Sequence, residues 1–369
     1  MSKKPPFRAD HVGSLLRPMA LREARADRAA GVIPAADLRT IEDIYVRRAI
    51  REQRAIGLEA VTDGEYRRAF WHFDFLGGLG GVEMYGSDQG IQFQGGTTKA
   101  YGLKVTGPIH YRPHPFVEDF RVVAANAGGA VAKQTIPSPS VLHFRGGRKA
   151  IDTHAYPDLD GFFADLGSAY NAAVLDFAAA GCRYLQLDEV NIAYLCDPKQ
   201  LEMLQNRGER VDGLLQTYAA LINRAIAGRP SDMFVSMHLC RGNFRSMHIA
   251  AGGYDPVAEV LFNGIGVDCY FMEYDDERSG SFAPLRFLPK GKTVVLGLVT
   301  SKRGELETKD ELKRRIEEAA KFAPLDQLCL SPQCGFASTQ EGNTLAEDEQ
   351  WRKLEMIVQV AEEVWGTAA

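Results

Sequence analysis

The stretch FVSMHLCRGNF, residues 234–244, decides how the chain is organised. An apolar run ends in His238 and Cys240, and a turn containing Gly242 follows. Side chains two residues apart on a β-strand point to the same side, so this imidazole and this thiol could aim at one point, such as a metal ion. They could equally be a hydrogen-bonded core histidine and an inert buried cysteine, which is the commoner role of such residues.

Eight short apolar runs rich in β-branched or aromatic residues divide the chain, and most precede a helical segment. The first begins at Phe7, and the others cover residues 58–65, 132–140, 183–189, 233–240, 267–273, 293–301 and 327–335. Apolar periodicity predicts helices over 35–57, 158–180, 208–227, 255–263, 308–322 and 343–365. Alternating strands and helices indicate a parallel sheet, and eight such units favour an α/β fold of the (β/α)8 TIM barrel type. A doubly wound open sheet is the alternative, but its usual Gly-rich phosphate-binding sequence is absent.

One segment, residues 71–131, interrupts this alternation. Its glycine density and the pattern Ile91-Gln92-Phe93-Gln94 predict a hairpin-bearing insertion after the second strand. We expect the insertion to lie over the barrel mouth as a lid or as a contact between copies, for example in a homodimer. The sequence therefore predicts one TIM-barrel domain over residues 1–369 with an insertion at roughly 71–131.

The bulk composition excludes several classes of protein. The 369 residues are 45% hydrophobic and 25% charged with a net charge of −5, which is typical of a globular protein. The mildly acidic balance without a basic tract argues against nucleic acid, and no apolar run approaches the ~20 residues that span a bilayer. The basic N-terminus lacks a secretory apolar core, and six scattered cysteines do not suit a disulfide framework. We expect a cytoplasmic protein.

Polar residues end six of the eight predicted strands. Active sites of TIM barrels lie at the C-terminal ends of the strands, so these groups are expected to converge on one pocket. Chance would explain one or two such strand ends, whereas six form a pattern. The residues are His11, Gly13 and Ser14; Asp63, Gly64 and Glu65; Asp188 and Glu189; His238 and Cys240; Glu273; and Cys334 and Gly335.

Four of these strand-end residues form a set of metal ligands. His238, Cys240, Glu273 and Cys334 offer one imidazole, two thiolates and one carboxylate, a combination that suits zinc. No second short metal-binding motif accompanies the His-x-Cys pair. The spacing by itself therefore leaves a zinc site and a set of buried core residues equally open.

Three further strand-end residues suit a small zwitterion. Glu65 and Asp188 could hold an ammonium group, while Ser14 and backbone N–H groups could hold a carboxylate. The alternative is structural, with "TDGE" at 62–65 as an Asp-Gly turn and Asp188 as a helix N-cap. The functional interpretation is favoured for Glu65 and Asp188.

Seven motifs follow one another along nearly the whole chain. They are "HVGSLLRP" (11–18), "VTDGEYRR" (61–68), "LQLDE" (185–189), "HLCRGN" (238–243), "ME" (272–273), "LGLVTSK" (296–302) and "SPQCGF" (331–336). With these motifs the chain resembles single-barrel relatives of cobalamin-independent methionine synthase and matches the catalytic C-terminal barrel of that enzyme. The resemblance implies a catalytic zinc on His238, Cys240, Glu273 and Cys334, and homocysteine bound by Ser14, Glu65 and Asp188. His11, Gly13 and Glu189, at the same strand ends, are predicted to join that substrate site.

The resemblance also implies a reaction. A free thiol has a pKa of about 8.5, and zinc coordination converts it to the nucleophilic thiolate. The homocysteine thiolate would take a methyl group from an N5-methyl folate to give methionine. The implied partners are thus a small-molecule thiol and a methyl donor, with Zn²⁺ as the cofactor.

Three departures from the family pattern leave the methyl donor open. The additional N-terminal barrel of the full-length enzyme is missing, and Lys302 stands near the place of the family's proton-donor histidine. The family sequence "DEPA" is replaced by "DEVNIAYL" at 188–195. The main alternative is an alkyltransferase or lyase that activates another thiol, such as coenzyme M. A non-catalytic zinc-binding protein is the second alternative, although structural zinc sites usually group their ligands in short spacings.

Overall fold

The computed structural model describes residues 4–86 and 101–369, together with the backbone of residues 92–93 and 96–97. The strands of this part of the chain are β1 (Ala60–Val61), β2 (Gly80–Gly86), β3 (Gln92–Phe93), β4 (Gly96–Thr97), β5 (Tyr101–His110), β6 (Val131–Pro137), β7 (Tyr184–Glu189), β8 (Phe234–Leu239), β9 (Cys269–Glu273), β10 (Thr293–Val299) and β11 (Leu328–Pro332). Seven of them pair in parallel in the order β1-β6-β7-β8-β9-β10-β11.

Helices follow most of these strands. They are α1 (Met19–Ala29), α2 (Ala35–Ala55), α3 (Phe73–Leu76), α4 (Pro115–Asn126), α5 (Ser140–Gly146), α6 (Leu159–Ala179), α7 (Asn191–Tyr194), α8 (Pro198–Asn206), α9 (Leu214–Ala225), α10 (Lys309–Ala319) and α11 (Glu347–Trp365). In the described ranges, none of them combines the length and the apolar composition needed to cross a membrane.

The first predicted strand closes the barrel as a single bridge. Ala9 pairs in parallel with Leu330 of β11, and Asp10 N donates to Leu330 O at 3.0 Å. On the opposite flank, just beyond β1, Leu15 N donates to Gly64 O at 3.0 Å. This segment thus takes the eighth position around the sheet, and the predicted TIM barrel is confirmed.

Amphipathic helices cover the barrel, and α10 shows why they form. Thr308 Oγ1 accepts a hydrogen bond from Glu311 N at 3.2 Å and so caps the helix start. Leu312, Ile316 and Ala319 recur at helical spacing and are buried. Each buried Leu or Ile stabilises the packing by roughly 1.5–3 kcal/mol. The strands between the helices are buried on both faces, as parallel strands usually are.

Several predicted helices differ from the observed ones. The segment predicted at 255–263 contains only a wide helical turn over Val260–Gly264. The one predicted at 208–227 starts at Leu214, because Gly213 adopts a φ of +75° and interrupts the helix. Six of the observed helices were not predicted: α1, α3, α4, α5, α7 and α8. Helix α1 buries only two side chains, so its apolar periodicity is weak.

The predicted insertion after the second strand is present as a hairpin. Strands β2 and β5 pair antiparallel from Gly80↔His110 to Gly86↔Tyr101, and β3 pairs with β4. Two residues of the predicted alternation, Ile91 and Gln94, lie outside the described residues. Helix α4 packs on β6 and α2 and is therefore a helix of the barrel. The insertion consequently ends before α4, earlier than the predicted residue 131.

Candidate metal centre and substrate pocket

Three of the predicted metal ligands meet at the C-terminal end of the barrel. His238 is on β8, Cys240 follows that strand, and Cys334 follows β11; all three side chains are buried. Their donor atoms lie within 4.8 Å of one another, and the two Sγ atoms are 3.4 Å apart. One imidazole and two thiols this close together could hold a metal ion, and this set of donor types suits zinc.

Neighbouring groups orient these donors. Asp188 stands directly beside His238 in the parallel register of β7 and β8, and its Oδ1 lies 3.6 Å from His238 Nδ1. The other ring nitrogen, Nε2, lies 3.2 Å from the carbonyl oxygen of Gln333. Gly242 N donates to Cys240 Sγ at 3.2 Å. A carboxylate that holds a ligating histidine is a common arrangement around protein-bound metals.

The three donor side chains shift one another's pKa values. The hydrogen bond from Cys240 lowers the pKa of the Cys334 thiol, and His238 lowers it further. The same hydrogen bond and burial raise the pKa of Cys240. Burial lowers the pKa of His238, but Asp188 and Cys334 outweigh it and raise this pKa to about 10. Metal binding would have to displace these protons, so metal affinity should fall at low pH.

Glu273, the fourth predicted ligand, lies outside this cluster. Its Oε2 accepts from Arg241 N at 2.9 Å, and its Oε1 lies 3.3 Å from Lys302 Nζ and from Arg278 Nη2. Burial would raise the pKa of this carboxyl, but Lys302, Arg241 and Arg278 lower it to about 2. The carboxylate is thus neutralised by cations, and its role as a metal ligand stays a prediction.

Ser14, Glu65 and Asp188 line the same pocket as the three donors. Glu65 has a φ of +59°, which is uncommon for a residue other than glycine. Arg17 supports this turn, since its Nη2 donates to Glu65 O and to Arg68 O at 2.7 Å each. Backbone strain of this kind is concentrated at functional sites.

The two carboxyl groups are held in place by hydrogen bonds. Thr135 Oγ1 donates to Glu65 Oε1 at 2.7 Å, and Gln186 Nε2 donates to Asp188 Oδ1 at 2.7 Å. Burial raises the pKa of Glu65, Arg68 opposes this, and Asp188 raises it again, to about 7. The pair can therefore hold a cationic group such as an ammonium.

The loop that follows β11 must pass close to Ser14 to complete the pocket. A Cβ on Gly335 would lie only 1.9 Å from Ser14 Oγ, so a side chain at this position would collide. The loop is fixed there because Phe336 N donates to Ser14 O at 2.9 Å and Ala337 N donates to Ser14 Oγ at 3.3 Å. Gly335 thus brings Cys334 and Ser14 together.

Three predicted substrate-binding residues do not line the pocket. Glu189 Oε1 accepts from Asn191 N and Ile192 N at the start of α7, which is a capping role. Gly13 has a φ of +136°, where glycine is favoured. His11 is buried, and burial together with Lys133 lowers its pKa to about 4. These residues stand at the predicted strand ends but support the barrel itself.

Other pocket residues were not assigned from the sequence. Trp71 and His72 line the pocket, whereas Phe73 belongs to the core. Arg145 and Tyr194 also line it and were missed. The available signal for Arg145 was a basic residue shortly after the third strand.

The chain was then compared with known proteins. Residues 7–363 match the family model described as cobalamin-independent synthase, catalytic domain. An uncharacterised Bacillus subtilis protein, YxjG, is 52% identical over 98% of this chain and 96% of its own length. A methionine synthase of Pyrococcus abyssi is 25% identical over 88% of this chain and 85% of its own length.

A solved structure shows the same architecture. A Listeria monocytogenes protein, solved as a candidate vitamin-B12-independent methionine synthase, superimposes with a TM-score of 0.81. It shares 41% identity, and the match covers 99% of each chain. The family match over nearly the whole chain agrees with the resemblance of the seven strand-end motifs. This chain belongs to the family of cobalamin-independent synthase catalytic domains.

Proposed function

We propose that this chain is a zinc-dependent methyltransferase. It would transfer a methyl group from 5-methyltetrahydrofolate, or from a related donor, to the thiol of L-homocysteine, giving methionine. The observation that carries the proposal is the convergence of His238, Cys240 and Cys334 with Glu65 and Asp188 in one pocket. Membership of the cobalamin-independent synthase family supports the same reaction.

His238, Cys240 and Cys334 are the residues that would hold the zinc ion. Bound zinc would favour the thiolate form of a coordinating substrate thiol at neutral pH. Catalytic zinc sites keep a position open for substrate, whereas structural sites are closed by four protein ligands. Three clustered protein donors, with Glu273 paired to Arg278 and Lys302, support a catalytic site.

The remaining pocket residues would position the amino acid. Glu65 and Asp188 would hold its ammonium group, and Thr135 and Gln186 keep these carboxylates aimed by their hydrogen bonds. The Ser14 hydroxyl would donate to its carboxylate. In the reaction the sulfur–methyl bond forms as the bond between the methyl carbon and the donor's nitrogen breaks, and the released nitrogen takes up a proton.

Zinc-edge X-ray absorption with and without L-homocysteine tests this proposal. We expect two protein sulfurs in the metal shell and a third sulfur after homocysteine is added. Cys240→Ser should remove one protein sulfur from the metal shell, and this variant calibrates the number of sulfur ligands that the spectra report. A third sulfur with coenzyme M but not with homocysteine would replace the proposal by another thiol alkyltransferase, and an unchanged shell with both thiols would indicate structural zinc.

Product formation from 5-methyltetrahydrofolate then tests the donor. We expect methionine to accumulate when homocysteine, zinc-loaded protein and this folate are incubated together, and Cys240→Ser to abolish it. A third sulfur without methionine formation would keep the thiol activation and reject the folate donor.

A further inference from the structure

The pocket contains a cation, Arg145, that pairs with no carboxylate of the described part of the chain. Arg145, on α5, lines the pocket and is half-buried. Within the described ranges no carboxylate forms an ion pair with Arg145, and its Nε has no hydrogen-bond partner. The guanidinium of Arg145 lies over the ring of Tyr194, whose centre is 5.7 Å from Arg145 Cζ. Burial of a charge is unfavourable unless the charge is paired, so this guanidinium is suited to an anionic ligand.

Other arginines close to the pocket donate to oxygen atoms of the protein. Arg17 donates to the carbonyl oxygens of Thr339, Glu65 and Arg68. Arg241 donates to Gly252 O and to Tyr254 OH. These arginines hold loops together, whereas Arg145 lines the pocket and pairs with no carboxylate of the described residues.

A second unsatisfied group lines the same pocket. His72 is 2% exposed, and neither of its ring nitrogens has a hydrogen-bond partner among the residues that the structure describes. Its ring lies between Trp71 and Phe73, with centroid distances of 4.5 and 3.9 Å. Burial and the charge of Arg145 lower the pKa of His72, so the imidazole is neutral and offers one N–H donor. A buried polar group without a hydrogen-bond partner is destabilising, and a bound ligand that supplies the partner would offset this cost.

We propose that Arg145 and His72 form a carboxylate-binding subsite of the substrate pocket. The inference rests on the proposed function, because it deepens the same pocket by naming the groups that recognise a substrate anion. A planar guanidinium binds carboxylates with two parallel hydrogen bonds, and the neutral imidazole adds a third donor. The carboxylate belongs either to the amino-acid thiol or to a folate-type donor with its glutamate tail.

Calorimetric binding to zinc-loaded protein tests the subsite. The ligands are L-homocysteine, its decarboxylated analogue 3-aminopropane-1-thiol, and 5-methyltetrahydrofolate. Arg145→Met is expected to weaken one carboxylate ligand by about tenfold or more, as loss of a charge-assisted hydrogen bond does. Arg145→Lys should restore part of the loss, and His72→Phe should weaken the same ligand less than Arg145→Met does.

The matched control is Arg51→Met, which removes the same charge from an exposed position on α2. Thermal unfolding of each variant shows that the fold is retained. Weaker homocysteine binding with unchanged 3-aminopropane-1-thiol binding would assign the subsite to the α-carboxylate. Weaker folate binding with unchanged homocysteine binding would assign it to the donor.

Unchanged binding of all three ligands by Arg145→Met would overturn the subsite while leaving the proposed function intact. Wild-type protein that binds neither homocysteine nor the folate would overturn the proposed function together with the subsite.

Discussion

Two clusters of buried polar side chains in this barrel differ in how far the protein itself supplies their partners. Inside the barrel, Lys133 Nζ lies 3.2 Å from Asp10 Oδ1 and donates to His11 O at 2.6 Å. Tyr184 OH donates to Asp10 Oδ2 at 2.7 Å, and Lys133 Nζ also lies 4.0 Å from the ring centre of Phe271. We call Asp10, Lys133 and Tyr184 the interior cluster. Its charged groups are paired by the protein itself.

At the barrel mouth, His238, Cys240 and Cys334 form the mouth cluster. These side chains are also buried, yet two thiols contact each other and the histidine lies beside a pocket lined by carboxylates. Burial alone therefore does not distinguish a polar group that supports the fold from one that is available to a ligand. What separates them is whether the protein supplies all the partners.

The largest expected effect concerns the interior cluster. Lys133→Met should lower the free energy of unfolding by about 3–5 kcal/mol, because the Asp10 carboxylate would stay buried without its partner. Urea denaturation measures the loss, and the double variant Lys133→Met/Asp10→Asn should recover part of it. Zinc content should stay at the wild-type value; a loss of zinc in this variant would break the distinction between the two clusters.

The next effect concerns the mouth cluster. Cys334→Ser should weaken zinc binding by more than about 100-fold, since even residues that only support metal ligands cost 10–100-fold when replaced. Competition with a chelating dye measures the affinity. Cys329→Ser is the matched control, because Cys329 is equally buried on β11 but packs inside the barrel. Equal zinc loss in both variants would contradict the assignment.

A pH effect of intermediate size is expected at the ammonium-binding pair. Because the pKa of Glu65 is raised to about 7, this carboxyl is mostly neutral at pH 6 and mostly ionised at pH 8. Affinity for L-methionine, which has no titrating thiol, should rise by about tenfold over this interval. Glu65→Gln should bind more weakly at pH 8 and show a flat profile. A pH dependence that persists in Glu65→Gln would assign the titration to another group.

The smallest expected effect is that of Glu273. Its carboxylate is held by Arg241 N, Lys302 and Arg278, so Glu273→Gln should change zinc affinity by less than about tenfold. The same dye competition measures it. A loss comparable to that of Cys334→Ser would instead establish Glu273 as a metal ligand, as the family resemblance implies.

Much of the fold could be predicted from local patterns. The alternation of strands and helices follows from apolar periodicities of 2 and 3.6 residues, which are properties of short segments. The exceptions are elements with weak patterns, such as α1 with its two buried side chains. The C-terminal end of the insertion was predicted too late in the chain, because α4 can be assigned to the barrel only from its packing on β6 and α2.

The sequence by itself determined which residues end the strands, and hence that His238, Cys240, Cys334, Glu65 and Asp188 lie at one end of the barrel. Only the tertiary structure decided how the other polar residues are used. Glu189 caps α7, Glu273 pairs with cations, and Arg145 faces the pocket. The physical reason is that a side chain's partners are distant in the chain, as Arg241 and Glu273 are at a separation of 32 residues, so no local pattern records them.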